Sequence, residues 1–257
     1  MSAAVNILAI DSGNTRVKWG LWQGDAGAGQ WLRVGAMSHD EINDGDAGPG
    51  AVLACLAGGQ HVQRVAVANV AGEETAKSLA ALARTTGAPM TWAESRAVQC
   101  GVRNLYANPA SLGVDRWAAL IGARHLHRGA SLVVCAGTAT TIDVLSAAGE
   151  FRGGVILPGF DLMKRSLAEN TARLPLADGV FAEEPRSTAD AIETGVLQAQ
   201  AGAIERMHAR AVALHGEVDC FISGGAATRI APRLHVAHHL RDHLVLDGLV
   251  RMALEVA

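Results

Sequence analysis

The sequence lacks the features that would point to nucleic acid, to a membrane or to secretion. Its 257 residues carry a formal net charge of -3 and no dense basic cluster, which argues against a nucleic-acid footprint. No apolar run is long enough to span a bilayer. The N-terminus has neither a basic segment nor a signal-peptide cleavage pattern. We therefore expect a cytoplasmic enzyme or binding protein without nucleic-acid or membrane partners.

Spacings typical of metal sites are also missing. The cysteines are scattered singly, which predicts reduced and mostly buried thiols rather than a zinc site or a disulfide framework. They are Cys55, Cys100, Cys135 and Cys220. The C-terminal histidines have no accompanying glutamate in a metalloprotease pattern, so we interpret them as a solvated turn or helix face. They are His235, His238, His239 and His243.

The composition does provide a large core. A hydrophobic fraction of 49% with 18% charged residues describes a compact protein rather than a disordered one. The length suits one large domain or two of ordinary size. Strand-like patterns over residues 64–70 and 90–93 flank a helical pattern over residues 73–86. This order predicts an α/β fold.

The most informative stretch covers residues 7–21, where an apolar run reaches Asp11, a Gly-Asn-Thr turn follows, and a second run alternates polar and apolar residues. We predict two strands and a tight turn, because glycine and asparagine tolerate the positive φ that hairpin turns demand. Backbone N–H groups and the Thr15 hydroxyl would face one small space, with Asp11 at its mouth and Lys18 on the returning strand. That suits a polyphosphate and its metal. An ordinary hairpin fits these residues equally well.

A similar design recurs about half the chain later. Residues 132–144 combine an apolar strand, a Gly-Thr turn at Gly137 and a β-branched returning strand. A repeat at half length predicts two similar lobes, each presenting one hairpin turn to a shared cleft.

Three further segments have both a functional and a structural interpretation. Gly113–Arg116 lies at a loop-to-helix junction, where Asp115 could reach a ligand or simply be a first-turn helix acid. Thr188 follows Ser187 at the start of a long helix, and either contacts a ligand or only belongs to the helix start. The glycines of residues 223–225 allow close backbone approach to a ligand, although a plain turn would look the same.

Taken in order, these segments resemble the type III pantothenate kinases, within the acetate and sugar kinase, Hsp70 and actin superfamily. The family pattern Asp-x-Gly-Asn-Thr-x-x-(Lys/Arg) is matched by Asp11–Lys18, and Gly-x-Asp-Arg by Gly113–Arg116. Tyr106 and Pro109 stand at the expected places upstream. Gly-Thr-Ala-x-Thr-x-Asp is matched by Gly137–Asp143. The ordered set extends over most of the chain.

The resemblance implies ATP-dependent phosphorylation of pantothenate to 4'-phosphopantothenate, the first step of coenzyme A biosynthesis. It also implies an α/β fold of two ribonuclease-H-like lobes (duplicated mixed sheets with flanking helices, residues 1–118 and 119–257) around a central cleft, and a homodimer. Asp115 would be the general base, and Asp11 would lie near Mg²⁺. ATP would contact Asp11, Ser12, Gly13, Asn14, Thr15, Arg16, Val17, Lys18 and Thr138. Pantothenate would contact Tyr106, Gly113, Val114, Asp115, Arg116 and Thr188.

The chain departs from the family pattern at Cys135. Many members have an aspartate there that binds a monovalent cation such as K⁺ or NH₄⁺. A thiol is a poor ligand for a hard cation, which prefers oxygen. Either another oxygen substitutes or the enzyme uses the cation differently, and the requirement stays open.

The role of Arg116 and two rival functions also stay open at this point. Arg116 offers a bidentate fork for the pantothenate carboxylate or for the transferring phosphate. One rival is a kinase for a sugar or a short acid, against which Tyr106 and Gly113–Arg116 argue. The other is a nucleotide-binding regulatory protein that acts on gene expression, against which the catalytic carboxylates and the lack of a basic element argue.

Overall fold

The computed structural model describes residues 4–43, 52, 55–171, 174, 176 and 178–255. The chain forms two compact units. The first comprises Met1–Leu126 and Leu244–Ala257, and the second comprises His127–His243. No helix in the described ranges has the length and apolar character needed to cross a membrane.

The described elements alternate between strands and helices. The strands are β1 (Val5–Ser12), β2 (Val17–Gly24), β3 (Gly29–Met37), β4 (Arg64–Asn69), β5 (Met90–Trp92), β6 (Val98–Gln99), β7 (Val102–Asn104), β8 (Ala130–Ala136), β9 (Ala139–Leu145), β10 (Glu150–Pro158), β11 (Val218–Ser223) and β12 (His238–Leu240). The helices are α1 (His39–Asn43), α2 (Glu73–Thr86), α3 (Val114–Leu126), α4 (Phe160–Asn170), α5 (Thr188–His215), α6 (Ala227–Ile230) and α7 (Leu244–Glu255). Short 3₁₀ helices cover Pro109–Ser111 and Ala231–Arg233.

The sheet of the first unit has the strand order β3-β2-β1-β4-β5. Strands β1 to β3 form an antiparallel meander, whereas β4 and β5 run parallel to β1. The central strand β1 is buried without interruption from Ile7 to Ser12, as expected for a strand that is covered on both faces. This strand carries Asp11 directly into the first hairpin turn.

The second unit repeats this topology. Five of its strands lie in the order β12-β11-β8-β9-β10, with β8, β9 and β10 antiparallel and with β11 and β12 parallel to β8. Strand β8 therefore takes the place of β1, and the β8–β9 turn takes the place of the β1–β2 turn. The predicted α/β fold with two mixed sheets and flanking helices is confirmed.

The division of the chain differs from the lobes predicted at 1–118 and 119–257. Helix α3 continues across the predicted boundary, and the C-terminal helix α7 packs on it. A Cβ atom on Gly248 would collide with the Ala118 carbonyl oxygen, and one on Gly122 would collide with the Leu244 carbonyl oxygen. The two glycines let these helix backbones approach closely. This contact joins the C-terminal helix to the first unit.

Two local predictions are wrong. His238 and His239 belong to β12, where they pair with Cys220 and Phe221 of β11, rather than to a turn or a helix face. None of the four cysteines, all in the described part of the chain, forms a disulfide, but only Cys220 is buried. The glycine-rich composition of residues 43–50 predicts a loop, and apart from Asn43 this segment lies outside the described residues.

Candidate active site

The first hairpin turn connects β1 to β2. Asp11 pairs with Lys18 and Ser12 with Val17 in the strand register, and the Gly13 N–H donates to the Arg16 carbonyl oxygen at 3.2 Å. Among the described residues Cys100 is the one non-glycine with positive φ, and Gly13 is not among the glycines that have it. The expectation of positive φ in this turn is therefore wrong. The turn folds around Asn14 and Thr15 without it.

Glycine at position 13 is not required by the conformation of the turn. A Cβ atom there would lie 3.5 Å from the Arg16 carbonyl oxygen, which is ordinary van der Waals contact. The absence of a side chain instead leaves space beside the turn. Asn14 and Thr15 are exposed, so this space is open to a ligand.

Asp11 is buried at the start of the turn, with 8% of its surface exposed. Burial of the carboxylate raises the pKa of Asp11 to about 6; Lys18 opposes this effect and the charge of Asp115 adds to it. A desolvated carboxylate gains from a nearby cation. Asp11 is thus suited to a divalent metal that arrives with a phosphate ligand.

Asp115 lies in the first turn of α3. Its Oδ1 atom accepts a hydrogen bond from the Arg116 N–H at 2.8 Å and would lie 2.7 Å from a Cβ atom on Gly113. Glycine at 113 therefore makes room for the Asp115 carboxylate. The fully buried Trp117 anchors the start of the helix, since its indole N–H donates to Gln99 at 3.2 Å.

Tyr106 and Arg116 contact each other beside Asp115. The Arg116 Nη1 atom donates to the Tyr106 hydroxyl at 3.4 Å, and the guanidinium lies 6.0 Å from the centroid of the tyrosine ring. The Tyr106 N–H donates to the Asn104 side chain, whose amide donates to the Pro109 carbonyl oxygen. These bonds fold the segment back towards α3. The Arg116 side chain is buried there, with 6% of its surface exposed.

The second turn, between β8 and β9, is supported by the end of β10. The Gly137 N–H donates to the Ala139 carbonyl oxygen at 3.0 Å, and the Gly159 N–H donates to the Thr138 carbonyl oxygen at 3.0 Å. A Cβ atom on Gly159 would collide with the Gly137 carbonyl oxygen. Gly159 therefore supports the turn through its backbone.

The Ser-Gly-Gly segment after β11 packs on the same turn. Gly224 has a φ of 103°, and a Cβ atom there would collide with the Ala136 carbonyl oxygen. The Ala226 N–H donates to that oxygen at 3.1 Å. The Gly159 turn thus contacts Gly137 and Thr138, and the Gly224 turn contacts the neighbouring Ala136.

Thr188 is the exposed first residue of α5 in the second unit. Its neighbour Ser187 caps the helix, accepting from the Asp190 N–H at 3.1 Å and donating to the Asp190 carboxylate at 2.7 Å. Thr188 also lines an apolar cavity of about 540 Å³ between α4 and α5. No sequence pattern had indicated this cavity.

Cys135, at the position of the family aspartate, is partly exposed near the end of β8 and lies opposite Thr141 of β9. The buried hydroxyls of Thr140 and Thr141 have no hydrogen-bond partner within the described chain. Because side chains alternate along a strand, only the Thr141 hydroxyl shares the face of the Cys135 thiol.

The predicted site residues fall in both units. The first unit contains the turn Asp11–Lys18, Tyr106 and Gly113–Arg116, while Thr138 and Thr188 belong to the second. Within the first unit, Lys18 and Asp115 are both close enough to Asp11 for their charges to act on its carboxylate. In the described ranges, no group of three or more His, Cys, Asp or Glu side chains is placed to hold a metal ion.

Comparison with known proteins places the chain in one family. The sequence model of the type III pantothenate kinases matches residues 7–210. A type III pantothenate kinase from Aromatoleum aromaticum is 51% identical over 251 residues, covering 98% of this chain and 99% of the relative. One from Dechloromonas aromatica is 47% identical, covering 97% of this chain and 99% of the relative.

Solved structures with low sequence identity share the fold. A candidate Baf family transcriptional activator from Campylobacter jejuni has a TM-score of 0.62 at 20% identity and covers 97% of this chain and 98% of its own. A candidate 2-dehydro-3-deoxygalactonokinase from Sinorhizobium meliloti has a TM-score of 0.57 at 16% identity and covers 99% of both chains. By its family match and its near full-length relatives, the chain belongs to the type III pantothenate kinases.

Proposed function

We propose that this enzyme transfers the γ-phosphoryl group of ATP to the terminal hydroxyl of pantothenate, with Asp115 as general base and with both hairpin turns binding ATP. Membership of the family makes the chain a kinase that phosphorylates pantothenate to 4'-phosphopantothenate, the first step of coenzyme A biosynthesis. As a kinase, it uses ATP and a divalent metal. The assignment of residues to roles is our proposal.

One observation carries the assignment. Burial is the main reason why the pKa of Asp11 is raised, and Asp115 is close enough for its charge to add to that effect, although the two residues come from a phosphate-type turn and a separate helix. Phosphoryl transfer needs a metal-binding group and a proton acceptor near the same phosphate. Asp11 and Asp115 meet this requirement within the first unit.

The residues around Asp11 fit Mg²⁺. This ion keeps several waters and is bound by one or two carboxylates together with substrate phosphates, so a single buried carboxylate is sufficient. Asp11 would hold the ion, which neutralises charge on the phosphates when bound. Lys18, paired with Asp11 in the hairpin, would add positive charge near the transferred group.

Asp115 would accept the proton of the pantothenate hydroxyl as the new bond to phosphorus forms. A primary alcohol is a weak nucleophile, and general-base catalysis is typically worth about 10²–10⁴-fold in rate. This corresponds to roughly 3–5 kcal/mol of barrier. The hydrogen bond from the Arg116 N–H and the space left by Gly113 restrict the Asp115 carboxylate, which supports the proposed role.

Tyr106, Gly113, Val114, Arg116 and Thr188 would bind pantothenate. The contact between Arg116 and Tyr106 holds the guanidinium in place, and its planar fork suits a carboxylate. We assign Arg116 to the pantothenate carboxylate, and contact with the transferring phosphate is the alternative. Thr188 enters this set through the family pattern and through its place on an apolar cavity.

A requirement for a monovalent cation, a homodimer and a cytoplasmic location are proposals that rest on the family resemblance. For the cation, the Thr141 hydroxyl, on the strand position that pairs with Cys135, is the candidate oxygen ligand. Turnover measured in KCl, NH₄Cl and choline chloride would decide whether a cation is required. Light scattering during size-exclusion chromatography would measure the molar mass and show whether the protein is a dimer.

A coupled assay of ADP release tests the proposal as a whole. We expect release that depends on pantothenate, with stoichiometric 4'-phosphopantothenate identified by mass spectrometry. A panel of sugars and short hydroxy acids tests the rival kinase function. ADP release with one of these, but not with pantothenate, would contradict the proposal.

A further inference from the structure

His39 contacts the backbone of the first hairpin turn. Its Nε2 atom lies 2.8 Å from the Gly13 carbonyl oxygen. A carbonyl oxygen only accepts, so Nε2 carries the hydrogen and donates. Its Nδ1 atom lies 3.4 Å from the Thr75 hydroxyl on α2. The half-buried imidazole thus connects the turn to a helix that is distant in sequence.

The chain fixes His39 at the start of α1 by a capping box. The Ser38 N–H and hydroxyl donate to the Glu41 carboxylate at 2.6 and 2.9 Å, and the Glu41 N–H donates back to the Ser38 hydroxyl at 3.2 Å. This reciprocal arrangement fixes the backbone at the start of the helix. His39 is the first helical residue, so the capping box also fixes the position from which its side chain extends.

The bond to Gly13 sets the direction of the next N–H group. The carbonyl of Gly13 and the N–H of Asn14 belong to one peptide group, and the described chain contains no cis peptide. In a trans peptide these two bonds point in opposite directions. Because His39 holds the oxygen on one side, the Asn14 N–H faces the other side, and no described residue accepts a hydrogen bond from it.

The hairpin itself does not depend on His39. The Gly13 N–H bonds to Arg16, and the pairs Asp11–Lys18 and Ser12–Val17 continue the ladder. Loss of the imidazole should therefore leave the strands in place and free only one peptide group to rotate. That peptide carries an unpaired donor on an exposed turn.

We infer that His39 is a positioning residue for ATP: it holds the Gly13–Asn14 peptide so that the Asn14 N–H is presented to a phosphate oxygen. The hydrogen bond to the carbonyl also polarises the peptide and strengthens its N–H as a donor. This inference rests on the proposed role of the turn in ATP binding.

The test compares His39→Ala with His39→Gln, whose side chain can return an N–H donor near the position of Nε2. Exposed His61, in the same unit, provides the control His61→Ala. For each full-length variant we would measure kcat, KM for ATP, KM for pantothenate, Kd for a non-hydrolysable ATP analogue by calorimetry, and Tm. For His39→Ala we expect KM for ATP and Kd for the ATP analogue to rise about fivefold or more, the usual effect of losing one hydrogen bond.

The same experiment separates this inference from the proposed function. We expect KM for pantothenate to stay within about twofold, His39→Gln to recover most of the loss, and His61→Ala to match the parent. Asp11→Asn, which tests the turn itself, should weaken ATP use independently of His39.

If Asp11→Asn weakens ATP binding and His39→Ala does not, the role of His39 is wrong and the turn assignment stands. If neither does, both are wrong. Equal weakening of both substrates with a lower Tm and no rescue by glutamine would mean a structural role.

Discussion

Burial raises the pKa of Asp11 to about 6, and the nearby carboxylate of Asp115 adds a smaller contribution, which links the first turn of α3 to the end of β1. The two residues belong to different sequence motifs, one with the pattern of a phosphate turn and one with the pattern of a substrate site. Their proximity within one compact unit means that they form one electrostatic group. Removing the charge of Asp115 should therefore change the environment of the Asp11 carboxylate.

Replacing Asp115 by asparagine should separate catalysis from binding. The amide keeps the shape of the side chain but cannot accept the proton, so we expect kcat to fall at least tenfold, the lower part of the general-base range. Calorimetric Kd values for ATP and pantothenate should remain within about threefold of the parent. Glu94→Gln, at an exposed carboxylate of the same unit, serves as the control. Unchanged kcat in Asp115→Asn would show that another group is the base.

Replacing Asp11 by asparagine should stabilise the metal-free protein, and more so at higher pH. The folded-state pKa of Asp11, about 6, is above its usual 3.8, so the native state binds this proton more tightly than the unfolded chain does. The stability that protonated Asp11 contributes is fully present below pH 3.8 and is lost as the pH rises through about 6. From pH 5 to pH 8, the gain in free energy of unfolding over the parent should grow by about 1 kcal/mol. Urea titrations in EDTA would measure it, and a gain independent of pH would contradict the assignment.

Replacing Gly248 by alanine should separate α7 from α3. A Cβ atom there would collide with the Ala118 carbonyl oxygen, and overpacking of this kind typically costs about 1–3 kcal/mol. Gly202, an exposed glycine of α5 with open space around its Cβ position, is the matched control. Gly202→Ala should increase stability by up to about 1 kcal/mol, because alanine has the higher helix propensity. Chemical denaturation should show that the free energy of unfolding falls in Gly248→Ala and rises in Gly202→Ala. Changes of the same sign would exclude the packing explanation.

The elements that the sequence predicted well are those with local signals. Helix α2 covers the predicted residues 73–86 and ends at Gly87, whose left-handed conformation stops it. Helix α5 begins after Ser187 as predicted, because the serine caps it through Asp190. Strands β6, β7 and β12 have only two or three residues each, which is too short for a periodic pattern.

The features that sequence reasoning missed depend on contacts between distant segments. The bond between His39 and Gly13, the support of Thr138 by Gly159 and the packing of Gly248 on Ala118 each join residues with no common local pattern. The raised pKa of Asp11 depends on burial, which no spacing of residues reveals. The motifs predicted which residues belong to the candidate site, whereas the tertiary fold determines how their backbones are held.

The buried ion pairs of Glu193 provide a stability prediction for the second unit. Glu193 accepts from Lys164 at 2.7 Å and from Arg229 at 3.1 Å, and the Arg229 guanidinium lies 4.1 Å from the centroid of the Phe160 ring. Glu193 and Lys164 are only 4% and 6% exposed. Replacing Glu193 by alanine would leave the buried Lys164 ammonium with only the exposed Asp178 carboxylate, 3.8 Å away, so we expect a loss of about 3 kcal/mol in free energy of unfolding.

An exposed ion pair in the same unit makes the matched control. Glu184 and Arg186 are 3.9 Å apart with more than four-fifths of each side chain exposed, and such pairs contribute little. Glu184→Ala should therefore change the free energy of unfolding by less than about 0.5 kcal/mol. A double variant that also replaces Lys164 by methionine should recover part of the loss, because it removes the buried charge. If Glu193→Ala and Glu184→Ala destabilise equally in urea titrations, the buried pair has no special role. If the Lys164→Met change adds to the loss instead of reducing it, packing of the lysine stem on Phe160, rather than its charge, is the larger contribution.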